Sequence, residues 1–200
     1  VLLAVGVCFE MIWVSMSTVD SNDLHAFHEW LSAACERGPV PVLTGKNGDM
    51  DTVGSAIALA SSQPNLMACG VHLGRTAKRV VEQLHAPFRK IASEHTSWPA
   101  AIGGLIIVDA AAPGQVGVEL PAGVPVCIID HHATSDWILG QHDMSLRWNV
   151  RATTQIIDKY LLKFSPQSRS DVVRKMLLAG LITDTGRFRH ADQGAFESAN

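Results

Sequence analysis

Several features that mark other classes of protein are missing from this sequence. It has no run of lysines and arginines and carries a formal net charge of −3. The sequence therefore lacks the basic patch expected of a protein that binds long nucleic acids. The four cysteines show no short paired spacing, which argues against a disulfide scaffold. The five tryptophans are scattered and predict no base-stacking platform. Repeats and low-complexity stretches are also lacking.

What is present is the composition of a globular enzyme domain. The 200 residues are 47% hydrophobic and 18% charged, enough for one substantial core. Cys69 and Cys127 lie inside apolar runs, where a reduced thiol packs as a small hydrophobic group. We therefore expect a cytoplasmic protein with no membrane partner.

The two ends of the sequence carry separate expectations. Residues 1–16 are apolar but interrupted by Glu10, too short to span a bilayer and without a basic leading segment. A signal peptide or an anchor is one interpretation, and we favour the other, that Met16 is the true start. Residues 195–200 look like the opening of a helix without a C-cap. We expect residues 17–200 to form a single catalytic domain.

Between these ends, apolar strand-like runs alternate with amphipathic segments. Strands are predicted near residues 40–44, 66–73, 104–109 and 125–130, and helices near 23–36, from 52, 76–84, 152–164 and 170–183. Such alternation predicts an α/β fold: a doubly wound, mostly parallel sheet of about five strands with helices on both faces. Ligands of such sheets bind beyond the carboxyl ends of the strands.

Acidic residues and histidines stand where the apolar runs end. Asp130-His131-His132 follows one run directly, Asp109 ends a second, and Asp49 and Asp51 follow a third. Asp184 comes after a further apolar segment. Converging carboxylates repel one another unless cations lie among them. The pattern therefore predicts a metal centre with two ions, and oxygen-rich ligands with imidazole suit Mn²⁺ or Mg²⁺.

Each of these residues also has a simpler interpretation. Asp49 could merely cap the next helix, and Asp184 could merely stabilise its Thr-Asp-Thr-Gly turn. Arg187, Arg189 and His190 could bind phosphate, although solvated surface charge is the commoner role. Among them we favour Arg187, because it lies three residues after Asp184.

Four motifs, taken in order, resemble those of the DHH phosphoesterase family. The segment Gly45-Lys46-Asn47-Gly48-Asp49-Met50-Asp51 is similar to its first motif, usually His-x-Asn-Pro-Asp-x-Asp. Asp109 matches the isolated acid of the second motif, Asp130-His131-His132 the signature tripeptide, and Asp184 the fourth motif. The resemblance spans roughly residues 40–190.

The resemblance implies a role for each matched residue. Asp49 and Asp109 would serve one metal, and the other would be held by Asp51, Asp109, His131 and Asp184, with His132 touching the substrate phosphate or leaving group. The implied enzyme is a Mn²⁺-dependent hydrolase that cleaves phosphodiester or phosphomonoester bonds of short oligonucleotides or nucleotides through a water activated by two metals. The stretch around Thr183–Phe188 looks most like oligoribonuclease and adenosine-bisphosphate phosphatase members.

One departure from the motif keeps two alternatives open. The family's first-motif histidine falls at Gly45, which has no side chain to ligate a metal. A pyrophosphate or polyphosphate hydrolase, or a non-catalytic nucleotide-binding module with a degenerate metal site, would also fit this loss. Family members usually continue into a substrate-binding domain, which we expect to be absent from this chain. A homodimer is also left open.

Overall fold

A computed structural model describes residues 18–92, 98–99 and 101–199. Within these residues, six strands form one sheet, and six α-helices accompany them. The strands are β1 (Val40–Thr44), β2 (Leu66–Gly70), β3 (Arg89–Lys90), β4 (Leu105–Val108), β5 (Val126–Asp130) and β6 (Met144–Arg147). The helices are α1 (Thr18–Arg37), α2 (Met50–Ala60), α3 (Arg75–Leu84), α4 (Thr153–Phe164), α5 (Asp171–Asp184) and α6 (Gln193–Ser198).

The sheet has the order β3-β2-β1-β4-β5-β6, and every pairing is parallel. The order reverses between β1 and β4, which is the position where open α/β sheets bind their ligands. The predicted α/β fold with a parallel sheet is confirmed, with six strands rather than about five. The two unpredicted strands are the edges: β3 has two residues, and β6 lacks a long apolar run.

The two faces of the sheet are covered differently. Alternate strand residues such as Val42, Ile106 and Ile129 join a buried cluster with side chains of α1 to α5. The opposite residues, including Leu43 and Ile107, pack against the connections that follow β4 and β5. We expected helices on both faces. Among the described residues, the second buried cluster contains strand and connection residues but no α-helical ones, because the β4–β5 connection is interrupted by prolines and glycines.

Several element boundaries differ from expectation. The helix predicted near residues 23–36 begins earlier, at Thr18, and β2 ends at Gly70 rather than near residue 73. Gly54 in α2 lies against α5: a Cβ at this position would lie 2.6 Å from the carbonyl oxygen of Met176. Residues 1–17, where an anchor or leader was considered, lie outside the described residues. Within the described part of the chain, no helix is both long and apolar enough to span a bilayer.

Candidate metal centre

The predicted acidic residues come together because their elements end at the same edge of the sheet. Asp109 directly follows β4, His131 directly follows β5, and Asp51 lies in the first turn of α2, which follows β1. The remaining acid, Asp184, is delivered by a helix rather than a strand, since it is the last residue of α5. These residues border a cavity of about 110 Å³ or lie beside it. Parallel strands thus bring residues far apart in sequence to one point.

His131 lies at the centre of this group. Its Nε2 atom is 3.2 Å from Oδ2 of Asp184, 3.4 Å from Oδ1 of Asp109 and 4.0 Å from Oδ2 of Asp51. Donor atoms that surround one ion octahedrally at about 2.1 Å lie about 3.0 Å apart when adjacent and about 4.2 Å apart when opposite. The observed spacings fall in this range, so the residues fit a divalent cation.

The other ring nitrogen of His131 faces the backbone. Its Nδ1 atom lies 3.4 Å from the carbonyl oxygen of Val150. A carbonyl only accepts, so this contact places the ring proton on Nδ1 and leaves the Nε2 lone pair toward the carboxylates when the imidazole is neutral. This is the tautomer that a metal ligand requires.

Asp51 is fully buried and is held by the start of α4. The backbone amides of Thr153 and Thr154 donate to its two carboxylate oxygens at 2.7 and 3.0 Å. Helix α4 begins at Thr153, within the span predicted near residues 152–164. The N-cap residue is Ala152, without a side-chain hydrogen bond, because the carboxylate of Asp51 satisfies the first amides of the helix instead.

The surroundings of Asp51 make it unstable as an isolated charge. Burial first, and then the charges of Asp109 and Asp184, raise the pKa of Asp51 well above its ordinary value, although the hydrogen bond from Thr154 opposes this. Nearby positive charge is what would relieve the repulsion. A cation placed among these carboxylates would supply it, as the sequence pattern predicted.

Asp109 adopts an unusual backbone conformation. Its φ is +58°, in the left-handed region that side chains other than glycine rarely occupy. Its amide donates to the carbonyl of Ile129 at 2.8 Å, and its Oδ1 accepts a hydrogen bond from the hydroxyl of Thr153 at 3.2 Å. Strained backbone of this kind is concentrated at functional sites. Here the conformation holds the carboxylate between His131 and His132.

Comparison with known proteins identifies the family. The family model described as "DHH family, N-terminal domain" matches residues 39–183. The chain belongs to this family. Among curated protein sequences, none gives a significant match.

Two solved structures illustrate the shared fold. A protein of Methanococcus jannaschii assigned as a family II inorganic pyrophosphatase is 19% identical with a TM-score of 0.60, over 80% of this chain and 54% of its own. An exopolyphosphatase-related protein of Bacteroides fragilis is 12% identical with a TM-score of 0.61, over 89% of this chain and 55% of its own. The DHH-family chain therefore spans about half the length of these two proteins.

The cavity is also lined by Asp49 and Gly45, from the first DHH motif. Oδ1 of Asp49 accepts the amide of Thr52 at 3.1 Å and so caps α2, as the simpler interpretation anticipated. Burial, followed by the charge of Asp109, raises the pKa of this carboxyl. The metal role of Asp49 stays a prediction. At Gly45, which is buried, a Cβ would lie 3.3 Å from the carbonyl oxygen of Asp109, a tight contact.

His132 is oriented by the first residue of its own motif. Its Nδ1 lies 2.6 Å from Oδ1 of Asp130, which is fully buried at the end of β5. This contact fixes the ring and leaves Nε2 as the nitrogen free to serve substrate. Asp109, His131 and His132 also form a group spaced closely enough to hold an ion. Because its Nδ1 is already engaged, we retain the prediction that His132 serves substrate.

Arg187 follows α5 in a left-handed backbone conformation with φ of +61°. Its side chain is exposed, and among the described residues it does not line the cavity that contains Asp109 and Asp184. The structure therefore does not bring Arg187 to the metal centre, and its phosphate-binding role stays a prediction.

Three contributors were missed at the sequence level. They are the amides of Thr153 and Thr154, the carbonyl of Val150, and Asp130 as the partner of His132. The first two act through the backbone and leave no signal in residue type. The Asp-x-His spacing of Asp130 and His132 was a usable signal, because a carboxylate two residues from an imidazole can reach it at a strand end.

Proposed function

We propose that this chain is the catalytic domain of a metal-dependent phosphoesterase that hydrolyses phosphodiester or phosphomonoester bonds of nucleotides or short oligonucleotides. One observation carries the proposal. Three carboxylates converge within 3.2 to 4.0 Å of a single histidine nitrogen at the carboxyl edge of the sheet. A site so rich in negative charge favours cations and the reactions of phosphate esters that cations assist.

The proposed ion sites divide the ligands unequally. Asp51, Asp109, His131 and Asp184 would hold one ion, and Asp49 with Asp109 would hold the other, so that Asp109 is shared. Mn²⁺ suits this mixture of oxygen and nitrogen donors, and Mg²⁺ is the second choice. When bound, such a pair of ions lowers the pKa of water and offsets the charge that develops on the phosphoryl group.

The chain's own residues would orient the substrate and handle its proton. Asp130 holds Nδ1 of His132 at 2.6 Å, so the ring presents Nε2 outward. From this position the imidazolium form of His132, protonated on both nitrogens, would donate from Nε2 a hydrogen bond to a phosphate oxygen or a proton to the leaving oxygen. The side chain of His132 is 44% exposed, which leaves it accessible to a substrate entering from the solvent.

A second candidate is hydrolysis of pyrophosphate or polyphosphate. It is favoured by the names of the two structural neighbours and by Gly45, which stands where the family's histidine is usual. Both hydrolytic candidates use the same metal centre. They differ in whether the substrate carries a nucleoside, which would be recognised by the surface next to His132.

The proposal is tested by counting metal ions. Equilibrium dialysis should show two Mn²⁺ ions per chain, with both lost in Asp109→Ala and mainly one lost in Asp184→Ala. Asp171→Ala is a matched control, because it removes a 69% exposed carboxylate from the opposite end of the same helix. The wild-type chain should also hydrolyse small phosphate esters slowly with Mn²⁺. Unchanged metal stoichiometry in Asp109→Ala would refute the shared ligand, and a chain that binds no ion would favour a binding module.

A further inference from the structure

A second cavity adjoins the metal centre on the β6 side. It has a volume of about 440 Å³ and is lined by His131, His132, Ala133, Arg147, Trp148 and Asn149. The two histidines also line the smaller cavity that contains Asp109 and Asp184. The cavities are therefore neighbours that share the DHH histidines. A volume of about 300–1,000 Å³ is typical of sites for small ligands.

The register of the sheet explains why these residues meet. β5 and β6 are parallel, and Asp130 at the end of β5 is paired with Arg147 at the end of β6. The segments that leave the two strands consequently emerge side by side at the same edge. One begins with His131 and His132, and the other with Trp148 and Asn149.

The indole of Trp148 is held in place without a ligand. Its Nε1 donates to Oδ2 of Asp23 at 3.1 Å, and the ammonium of Lys159 lies 5.6 Å from the ring centroid. These contacts with α1 and α4 fix the ring, which still borders the cavity. A fixed aromatic ring loses little freedom when a flat ligand stacks on it. Asn149, which is exposed, adds an amide that can both donate and accept.

Arg147 gives the junction between the two cavities a positive charge. Its Nη2 donates to the carbonyl oxygen of His132 at 2.5 Å, and its Nε lies 4.0 Å from Oδ2 of Asp130. The guanidinium is thereby fixed beside the DHH segment. A phosphate at His132 would meet this charge, while the group attached to the phosphate would extend toward Trp148.

We propose that the cavity beside Trp148 is a nucleobase subsite, in which the base of a nucleotide stacks on the indole of Trp148 and hydrogen-bonds to Asn149 while its phosphate lies at His132. The subsite rests on the proposed phosphoesterase function and narrows it to substrates that carry a nucleoside. It also revises the expectation that the scattered tryptophans supply no stacking platform. Pyrophosphate and polyphosphate have no group that would use this surface.

The test compares two phosphate monoesters that differ only in the base. Calorimetric titrations of AMP and of ribose 5-phosphate, with Mn²⁺ present, give the ratio of their affinities in the wild-type chain. We expect AMP to bind about ten-fold tighter or more, since stacking on an aromatic residue commonly contributes that much per base. Trp148→Ala should reduce this ratio to near one and leave the affinity for ribose 5-phosphate unchanged.

Three further variants make the result specific. Trp148→Phe should restore most of the ratio, and Asn149→Ala, an exposed position, should lower it with no change in folding. Trp30→Ala is the matched control, because Trp30 is also half-buried and donates from Nε1 to the carbonyl of His142 but does not line the cavity. It should leave the ratio as in the wild type.

The possible failures are distinguishable. Equal affinity for AMP and ribose 5-phosphate in the wild-type chain overturns the subsite and leaves the proposed hydrolysis intact. The subsite is also overturned if Trp148→Ala lowers the affinity for AMP and for ribose 5-phosphate alike, because that result indicates a structural role for Trp148. A wild-type chain that binds no Mn²⁺ removes the proposed function, and the subsite with it.

Discussion

Binding of a divalent ion at His131 should release a proton. Burial alone would lower the pKa of this imidazole, but hydrogen bonds with Asp109 and Asp184 and the charges of Asp51 and Asp109 raise it to about 11 in the metal-free chain. Near neutral pH the ring is therefore protonated and takes the place of a cation among the carboxylates. A metal can be ligated only by the neutral imidazole.

The sign and size of the pH dependence follow from this competition. Below the pKa of His131, each pH unit gained should tighten Mn²⁺ binding about ten-fold, or about 1.4 kcal/mol. From about pH 6.5 to 8.5 the expected gain is about 100-fold. Burial also raises the pKa of Asp51 and of Asp49, so the dependence should steepen as the pH falls toward the acidic range.

Metal-free stability should change with pH in the opposite direction. A pKa raised by folding stabilises the folded chain fully below the unfolded value of about 6.5, and this stabilisation is lost as pH rises through the folded value. For His131 this loss of stability therefore occurs between about pH 6.5 and about pH 11. In the presence of a chelator, alkaline pH should therefore lower the free energy of unfolding, whereas saturating Mn²⁺ should remove most of this loss.

Calorimetry in two buffers of different ionisation enthalpy would count the protons. We expect about one proton to be released for the ion that His131 ligates. His131→Gln should bind Mn²⁺ more weakly and with a flatter pH dependence, while His190→Ala, at an exposed position, should behave as the wild type. Affinity independent of pH, together with no proton release, would show that His131 does not exchange its proton for a metal.

Two further substitutions test the geometry of the centre. Gly45→His should tighten Mn²⁺ binding, because it adds the imidazole that the family usually has at this position, and the gain should fade below about pH 6.5. The new Cβ would lie 3.3 Å from the carbonyl oxygen of Asp109, so only a small adjustment is needed. Equal affinity in a titration would show that this position lies away from the metal. Gly180→Ala should destabilise the chain by about 1–3 kcal/mol, despite a gain of about 1 kcal/mol in helix propensity, and weaken Mn²⁺ binding. A Cβ at position 180 would lie 2.6 Å from Thr154 Cγ2 and 3.0 Å from Asp51 Cα. Gly194→Ala is the control in the denaturation experiment: its Cβ would lie 3.5 Å from the nearest atom, so this variant should not lose stability.

The sequence predicted the sheet and the convergence at its edge because both depend on patterns of residue type. Apolar runs such as 104–109 and 125–130 are long enough to stand out, and an acid or histidine at the end of each run marks the same edge. The edge strands β3 and β6 were missed for the opposite reason. Arg89–Lys90 is exposed, and its pairing with β2 comes from tertiary contact rather than from a pattern of its own.

The supporting contacts could not be predicted because they involve the backbone or residues distant in sequence. Asp51 accepts the amides of Thr153 and Thr154, about one hundred positions further along the chain. Thr153 has a residue type that predicts a side-chain cap, yet its hydroxyl donates to Asp109 instead. The Trp148 surface was overlooked for the same reason, since only the register of β5 and β6 places it beside His132.

The two proposed ion positions are built with different rigidity, and this has a consequence for how the protein would use metal. Asp51 is fully buried and fixed by two amides, so little conformational freedom would be lost when it binds an ion together with His131. Asp49 already caps α2, and Gly45 offers no ligand beside it. The second ion would therefore depend more on water and on oxygens of the substrate phosphate. Occupancy of the first position should then be linked to folding, and occupancy of the second to the presence of substrate.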